Sequence, residues 1–375
     1  MSLRRRLRRF GILNASLHTP LCDLLGIRVP LLLAGMAGGP TTPELVAAVS
    51  ASGGLGVFGA SGMPAELFRR DLRRARELTS APIGVNVLLA EAGQPSGDLE
   101  RLSGQLDRYR QELSLPRPAD RPPPATANEL VKIAVDEGAS VLSVGLGDPA
   151  AVVEIASAHG LPVIAMVATV DDARKAADSG ASVLVAQGSE AGGHRSNFTL
   201  PDNAPPPMVG LMALLPQVVA AVDIPVVAAG GIVDGRGLVA ALALGAVGAQ
   251  LGTRFLVAHE SGTSAGYRSR VLGAGDDETV VTTALSGRPA RGLPNRILRD
   301  LETLGSPSLG YPRQAAGWAD IRQDALKRDD ADFASLWCGQ RAGAGLTEAS
   351  AAQIIAEIEA EAIETIGRLG RGSRG

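Results

Sequence analysis

The chain has 375 residues, of which 45% are hydrophobic and only 3% aromatic, and its formal net charge is −3. This length can bury a large core, and the scarcity of aromatic residues indicates a core of Val, Leu, Ile and Ala, as in parallel sheets. The small net charge argues against a broad basic face for nucleic acid, and no apolar run reaches the ~18 residues that span a bilayer.

The two cysteines and the amino terminus bear on where the protein works. Cys22 and Cys338 lie far apart in the sequence, so we expect neither a disulfide framework nor a metal site, and we predict a reducing, cytoplasmic location. Residues 4–9 include five arginines, but the apolar run after them is too short for a secretory signal. We therefore predict that residues 1–24 form an Arg-rich N-terminal extension.

From residue 29 onward, short apolar runs alternate with helical stretches, which is typical of βα units. The eight predicted strands are 30–34, 55–58, 82–87, 140–144, 162–166, 182–186, 224–229 and 246–251. After the first strand, Thr42 is suited to cap a helix, Pro43 to begin it and Gly53 to follow its end. Eight such units favour a (β/α)₈ TIM barrel over residues 25–258. An open doubly wound sheet is the alternative, disfavoured because no G-x-G-x-x-G follows the first strand.

Two regions depart from this regular alternation. Residues 90–126 contain an amphipathic segment, 99–113, and a proline-rich connector, and we predict an excursion from the third strand. Residues 259–345 carry both tryptophans and predict a smaller helical cap over the barrel mouth. Apolar residues at helical spacing over 347–368 predict a final helix, within the segment 346–375, that returns to the barrel.

Candidate site residues follow the predicted strands, whose carboxyl ends converge on one face of a barrel. Gly230-Gly231 and Gly252-Thr253 follow the seventh and eighth strands, where barrels commonly bind phosphate through backbone N–H groups. After the sixth strand, Gly192 and Gly193 precede His194, so a flat ligand could lie against the backbone there.

Two amides at strand ends, Asn86 and Gln187, can both donate and accept hydrogen bonds, which suits a heterocycle with mixed edges such as a flavin. Taken alone, these residue types do not distinguish FMN from a sugar phosphate. They predict a phosphorylated ligand at the open end of the barrel.

Several of these segments, in chain order, resemble the nitronate monooxygenases, formerly called 2-nitropropane dioxygenases. The resemblance covers roughly residues 25–365, and it is carried by Ala34-Gly35-Met36, Gly84-Val85-Asn86, Gln187 to His194, Ala228 to Ile232 and Gln250 to Phe255. Arg288 to Arg291 and Trp337 to Gln340 look like the cap and closing segments of that family.

The resemblance implies an FMN-binding barrel that oxidises alkyl nitronates, such as propionate 3-nitronate, with O₂. His194 then looks like the catalytic histidine, which could take the α-proton of a nitroalkane or hold the nitronate as a cation. Met36 looks like the residue beneath the flavin ring. The other implied flavin contacts are Asn86, Gln187, Gly192, Gly230, Gly231, Gln250, Leu251, Gly252 and Thr253. The expected partners are the small-molecule nitronate and O₂, without nucleic acid or membrane.

The sequence also departs from the family pattern and leaves alternatives open. Gly35 stands where the family often has proline, which predicts a looser loop under the flavin, and Ser196 and Asn197 follow Arg195 where a glycine is common. The FMN-dependent enoyl-ACP reductases, which take hydride from NADH, share the fold and a similar Glu-Ala-Gly-Gly-His segment. A non-catalytic flavin-binding barrel is a second alternative, and a monomer and a homodimer are both compatible with the sequence.

Overall fold

A closed parallel barrel forms the centre of the protein. The structure is a computed structural model that describes residues 17–89, 99–116, 124–200, 205–303 and 309–372. The barrel strands are Leu31–Leu33 (β1), Gly56–Gly59 (β2), Ile83–Leu88 (β3), Val141–Gly145 (β4), Val163–Val167 (β5) and Val183–Gln187 (β6), followed after the short strand Gly193–His194 (β7) by Val226–Ala229 (β8) and Gly248–Leu251 (β9). Their order is β1-β9-β8-β6-β5-β4-β3-β2. A parallel bridge between Leu32 and Leu55 closes the circle, which confirms the predicted TIM barrel.

Four barrel strands begin soon after a proline. Pro30, Pro82 and Pro162 directly precede β1, β3 and β5, and Pro225 directly precedes β8. Proline has no N–H to donate to a ladder, so strand pairing begins at the residue after it. The strands therefore start one or two residues later than the sequence pattern predicts.

Helices surround the barrel and build the cap. They are Pro20–Leu25 (α1), Pro43–Ala51 (α2), Ala65–Leu78 (α3), Leu99–Glu112 (α4), Ala127–Asp136 (α5), Ala150–Ser157 (α6), Val170–Asp178 (α7), Leu211–Ala221 (α8), Gly235–Ala243 (α9), Thr253–Leu256 (α10), Ala265–Leu272 (α11), Arg296–Thr303 (α12), Arg313–Gly317 (α13), Ala319–Arg328 (α14) and Ala351–Gly372 (α15). Within the described ranges, none of them is both long and apolar enough to cross a bilayer.

The predicted helix ends are confirmed at α2 and revised at α15. Thr42 accepts a hydrogen bond from the Leu45 N–H at 3.0 Å, and Gly53 follows the helix with a φ of +97°. The last helix begins at Ala351 and not at 347, because the Ser350 hydroxyl accepts from the Gln353 N–H at 3.2 Å and caps the helix there.

The amino-terminal segment closes the lower end of the barrel. Leu21, Cys22 and Leu25 of α1 are buried among the inward-facing side chains of the strands. The Thr19 hydroxyl donates to the carbonyl oxygen of Val247 at 2.6 Å. Residues 17–24 therefore belong to the barrel core and not to an extension, and residues 1–16 of the predicted extension lie outside the described part of the chain.

The cap is assembled from two distant stretches of sequence. Leu102, Leu106 and Tyr109 of α4 share a buried cluster with Trp318 and other residues of the cap. The predicted helix over 99–113 is thus confirmed, but it belongs with the cap. Residues 90–98 and 117–123 of the predicted excursion lie outside the described ranges.

A small antiparallel sheet joins the cap to the barrel mouth. The strands Val280–Thr282 (β10) and Ala290–Gly292 (β11) pair with each other, and β11 also pairs with β7, where His194 lies opposite Ala290. The predicted site histidine is therefore held by a strand of the cap.

Candidate functional site

The loops after β8 and β9 present free backbone donors. Gly230 and Gly231 have φ values of +115° and +70°, in the left-handed region where a residue other than glycine is strained. Among the hydrogen bonds of the described residues, the N–H groups of Gly230, Gly231 and Gly252 donate to no other part of the chain. Backbone donors left without a partner in this way can bind an anion such as a phosphate.

Thr253 stands beside these donors and contacts the closing segment. Its Oγ1 accepts from the Gly339 N–H at 2.9 Å, which leaves the hydroxyl hydrogen free to donate to a ligand. A Cβ added to Gly339 would lie 2.5 Å from the carbonyl oxygen of Glu190, and one added to Gly231 would lie 3.6 Å from the Glu190 Cβ. The loops after β6, β8 and β9 therefore meet at one place.

Gly35 lets the loop after β1 lie directly on Asn86. A Cβ added to Gly35 would be 2.5 Å from the Asn86 Cβ, so the contact excludes any side chain. Asn86 is buried and donates to Ser143 Oγ at 3.0 Å. The loop after β1 is therefore closely packed and not, as the sequence had predicted, loosened.

Met36 and the end of β9 lie on the same side of the barrel mouth as Gly35 and Asn86. A Cβ added to Gly252 would lie 3.7 Å from the Met36 Sδ. Gln250 is buried, and its Nε2 approaches the Met166 Sδ at 3.8 Å. The Leu251 side chain, in contrast, lies in the buried core around the barrel, and its carbonyl oxygen accepts from the Ala34 N–H at 2.9 Å.

The carbonyl groups of residues 187–190 accept hydrogen bonds from other parts of the protein. Arg195 donates from Nη1 to the carbonyls of Gln187 at 3.1 Å and Gly188 at 2.7 Å. Arg291 donates to the Ser189 carbonyl at 2.9 Å, and the Gln340 N–H donates to that of Glu190 at 2.9 Å. The loop thus has a fixed shape.

Most hydrogen-bonding groups of the Gln187 side-chain amide have partners within the protein. Its Oε1 accepts from the Ser196 N–H at 2.9 Å and from Arg195, and its Nε2 donates to the carbonyl oxygen of His194 at 2.8 Å. One Nε2 hydrogen remains for a ligand.

His194 lies against two aromatic residues of the cap. Its ring meets Tyr311 edge to face, with 5.3 Å between centroids, and lies tilted against Trp337 at 5.8 Å. The side chain is half-buried, but its Nε2 atom is enclosed and has no hydrogen-bond partner in the described part of the chain.

The imidazole of His194 is neutral at physiological pH. Burial lowers its pKa to about 4, and the positive charges of Arg288 and Arg322 add to the effect. The neutral imidazole can accept a proton, whereas holding an anion as a cation, the alternative that the sequence leaves open, requires its pKa to rise.

The positive charge near the neutral His194 comes from Arg288 and Arg322. Neither forms an ion pair with a carboxylate of the described residues. Arg288 donates to the Asn197 carbonyl, and Arg322 lies 5.6 Å from the ring centroid of Trp318. Burial lowers the pKa of both guanidinium groups, which remain cationic. Two cations without carboxylate partners next to His194 are suited to an anionic ligand.

Sequence reasoning did not identify Tyr311, Arg322 or Arg195 as site residues. Arg288 and Trp337 lie in segments that carry the family resemblance. Tyr311 is one of only three tyrosines, but nothing in its sequence neighbourhood indicates that it reaches the barrel mouth.

Known proteins are similar to this chain over most of its length. A family model described as nitronate monooxygenase matches residues 18–361. The chain belongs to the nitronate monooxygenase family. A probable nitronate monooxygenase of Staphylococcus saprophyticus is 35% identical over 332 residues, which cover 86% of this chain and 92% of the relative. One of Staphylococcus aureus is 37% identical over 326 residues, covering 85% and 90%.

Two solved structures are similar over nearly the whole chain. A nitroalkane oxidase of Streptomyces ansochromogenes superposes with a TM-score of 0.85 at 33% identity, covering 93% of this nitronate monooxygenase family member and 99% of that chain. FabK of Thermotoga maritima has a TM-score of 0.77 at 33% identity, covering 95% and 99%. The protein is therefore an oxidoreductase of a family that oxidises nitronates.

Proposed function

We propose that the protein binds FMN and uses it to oxidise alkyl nitronates with O₂, with His194 as the base that forms the nitronate from a nitroalkane. The observation that carries this proposal is the enclosed, unpartnered Nε2 of His194, which lies beside two arginines without carboxylate partners. The nitroalkane oxidase relationship supports the same chemistry.

The residues of the barrel mouth fit an FMN. The free N–H groups after β8 and β9, together with the Thr253 hydroxyl, would hold the phosphate. Asn86, the remaining Nε2 hydrogen of Gln187, Gly192 and Gln250 would contact the ring edges, with Met36 beneath the ring. Bound there, FMN would accept electrons from the nitronate and pass them to O₂.

The side chains of this chain supply proton transfer and charge balance. Neutral His194 would take the α-proton of a nitroalkane on Nε2, which leaves a nitronate with its negative charge on the two oxygens. Arg288 and Arg322 would hold that anion, and its charge offsets the repulsion that otherwise disfavours a protonated His194. Tyr311 and Trp337 would exclude water from the reacting atoms.

The absorbance spectrum of the purified protein tests the cofactor. We expect the bands of oxidised flavin, and release of FMN on heating. The role of His194 is tested by comparing nitroethane with preformed ethylnitronate. H194Q should lose at least 100-fold in kcat/KM for nitroethane and much less for ethylnitronate, measured by O₂ consumption. Equal losses on both substrates would show that His194 is not the base.

The similarity to FabK supports a second candidate, an FMN-dependent enoyl-ACP reductase that takes hydride from NADH. Anaerobic mixing distinguishes the two. Rapid bleaching of the flavin by NADH would favour the reductase, whereas bleaching by ethylnitronate and not by NADH is the result that we expect.

A flavin-binding barrel without catalysis is the remaining alternative. It predicts that H194A retains whatever slow turnover the unaltered protein shows with both substrates. We expect instead that H194A retains bound FMN and loses turnover of nitroethane.

A further inference from the structure

Arg195, which follows the candidate base, is a fully buried arginine without an ion-pair partner. Its relative exposure is 0%, and no carboxylate of the described residues forms a salt bridge with it. All of its side-chain hydrogen bonds come from Nη1, while Nε and Nη2 have no partner. Burying a charge costs free energy unless the group is paired and hydrogen-bonded, and here two of the three guanidinium nitrogens have no hydrogen-bond partner.

The hydrogen bonds of Arg195 and of the Ser196 N–H set which way the Gln187 amide faces. A guanidinium group can only donate, so the amide oxygen has to be the atom 3.1 Å from Nη1. The amide nitrogen is then directed at the carbonyl oxygen of His194, 2.8 Å away. Without Arg195, the amide oxygen would keep only the Ser196 N–H as a donor, so the amide would be held less tightly.

The oriented amide holds the backbone on both sides of Arg195. Its nitrogen binds the carbonyl of His194, and its oxygen binds the N–H of Ser196 at 2.9 Å. The Arg195 N–H in turn donates to the Pro289 carbonyl at 2.8 Å. These contacts fix the direction in which the His194 side chain leaves the backbone.

We propose that Arg195 is a positioning residue that aims the His194 imidazole through the amide of Gln187, without touching the substrate. This proposal rests on the role of His194 as base. The two proposals can fail separately. If H194Q keeps its activity on nitroethane, His194 is not the base. If H194Q is inactive while the Arg195 and Gln187 variants have normal activity, only the positioning role is overturned.

The first test replaces Arg195. R195M removes the charge and all donors, whereas R195K keeps a charge and three donors on a shorter side chain. We expect kcat/KM for nitroethane to fall at least tenfold in R195M and less in R195K. The kinetic isotope effect with 1,1-dideuteronitroethane should increase in R195M, since a misplaced base slows proton abstraction. Turnover of ethylnitronate and the FMN content should change less than threefold.

The second test leaves Arg195 in place, so that it does not depend on the folding of R195M. Q187E keeps an oxygen acceptor for Arg195 and Ser196 and provides the buried arginine with a carboxylate. Its other oxygen, however, faces the His194 carbonyl where an N–H donated before. We expect a folded protein with at least a tenfold loss on nitroethane and a raised isotope effect. Q217E is the matched control, because the exposed Gln217 amide also donates to a backbone carbonyl, that of Ala213, and lies on α8.

Two results would overturn the positioning role. One is an equal loss on nitroethane and ethylnitronate in R195M, which indicates a general effect on the pocket. The other is an unchanged isotope effect in every folded variant, with turnover of nitroethane within threefold of the unaltered protein.

Discussion

The rings of Tyr311 and His194 pack edge to face, with 5.3 Å between their centroids and 74° between their planes. This contact links a residue of the cap to a residue of the barrel mouth. It also helps to enclose the His194 Nε2, and so to lower the pKa of that imidazole. The cap is thus part of the electrostatic environment of the site, in addition to covering it.

Removing the Tyr311 ring should therefore raise the pKa of His194. Only neutral His194 can take a proton, so turnover of nitroethane is lost as the pH falls through the pKa, about 4 in the unaltered protein. In Y311A, water reaches the imidazole while Trp337, Arg288 and Arg322 still face it. We expect the acidic limb of the kcat/KM profile to move upward by about one pH unit, toward the ordinary value near 6.5.

Y311F is the control for this measurement, because it keeps the ring and removes only the hydroxyl. Its acidic limb should stay where it is in the unaltered protein. If Y311A and Y311F shift the limb equally, the hydroxyl of Tyr311 and not its bulk sets the pKa of His194.

Neutralising Arg322 should weaken binding of the anionic substrate. Because Arg322 makes no hydrogen bond to the backbone of the His194 loop, R322Q removes a charge with little structural change, whereas Arg288 also holds the Asn197 carbonyl. We expect KM for ethylnitronate to rise about tenfold in R322Q, which corresponds to ~1.4 kcal/mol. Added salt should raise KM less in the variant than in the unaltered protein, since one screened charge is gone.

R313Q is the matched control for the loss of charge. Arg313 is exposed on α13, two residues after Tyr311, and its removal should leave KM within twofold. An equal rise of KM in R313Q and R322Q would indicate long-range attraction by the cap and not a specific contact.

The barrel and its strand ends could be predicted from the sequence, because they depend on local patterns. Proline before a strand, apolar β-branched runs and glycine after a helix each act within a few residues. The surroundings of His194 could not be predicted in this way. Tyr311, in the turn before α13, and Arg322 of α14 reach it through the cap, in which α4 and α14 share a buried cluster, and no local pattern records that contact.

The same distinction applies to individual residues of the site. His194 and the glycine pairs were identified because they follow strands. The neutral state of His194 was left open, because it depends on burial and on two arginines that are distant in the sequence. The packing of Gly35 on Asn86 was likewise missed, since only the fold brings those backbones together.

Gly35 should tolerate no side chain. Alanine there would place a Cβ 2.5 Å from the Asn86 Cβ, so either the loop or Asn86 has to move. We expect G35A to destabilise the protein by about 1–3 kcal/mol, and to weaken FMN binding at least tenfold as Asn86 and Met36 shift. Urea unfolding and fluorescence titration with FMN measure the two effects.

Gly104, where a side chain has room, serves as the control. It lies exposed in α4, and a Cβ added there would meet nothing within 4 Å. G104A should therefore stabilise the chain by about 0.5–1 kcal/mol, as alanine does in a helix interior, and leave FMN binding unchanged. A stable G35A with normal FMN affinity would show that the loop after β1 adapts easily.

The Arg110–Asp320 ion pair should hold the two parts of the cap together. Arg110 of α4 and Asp320 of α14 are 3% and 8% exposed, and the Nε–Oδ2 distance is 2.7 Å. Asparagine at 320 would leave the buried guanidinium with only the Asp107 carboxylate, so we expect D320N to cost about 3 kcal/mol. Hydrogen exchange should become faster in α4 and α14 and remain unchanged in the barrel strands.

Asp324 on the same helix offers a matched comparison. It pairs with Arg328 at 2.7 Å, but the arginine side chain is 51% exposed, and such pairs contribute less than about 1 kcal/mol. D324N should therefore leave hydrogen exchange in α4 unchanged. Replacing both partners of the buried pair, in R110M/D320L, should recover much of the stability that D320N loses, because no unpaired charge then remains in the cap. If D320N and D324N lose equal stability, the connection between α4 and α14 depends on their apolar contacts and not on this pair.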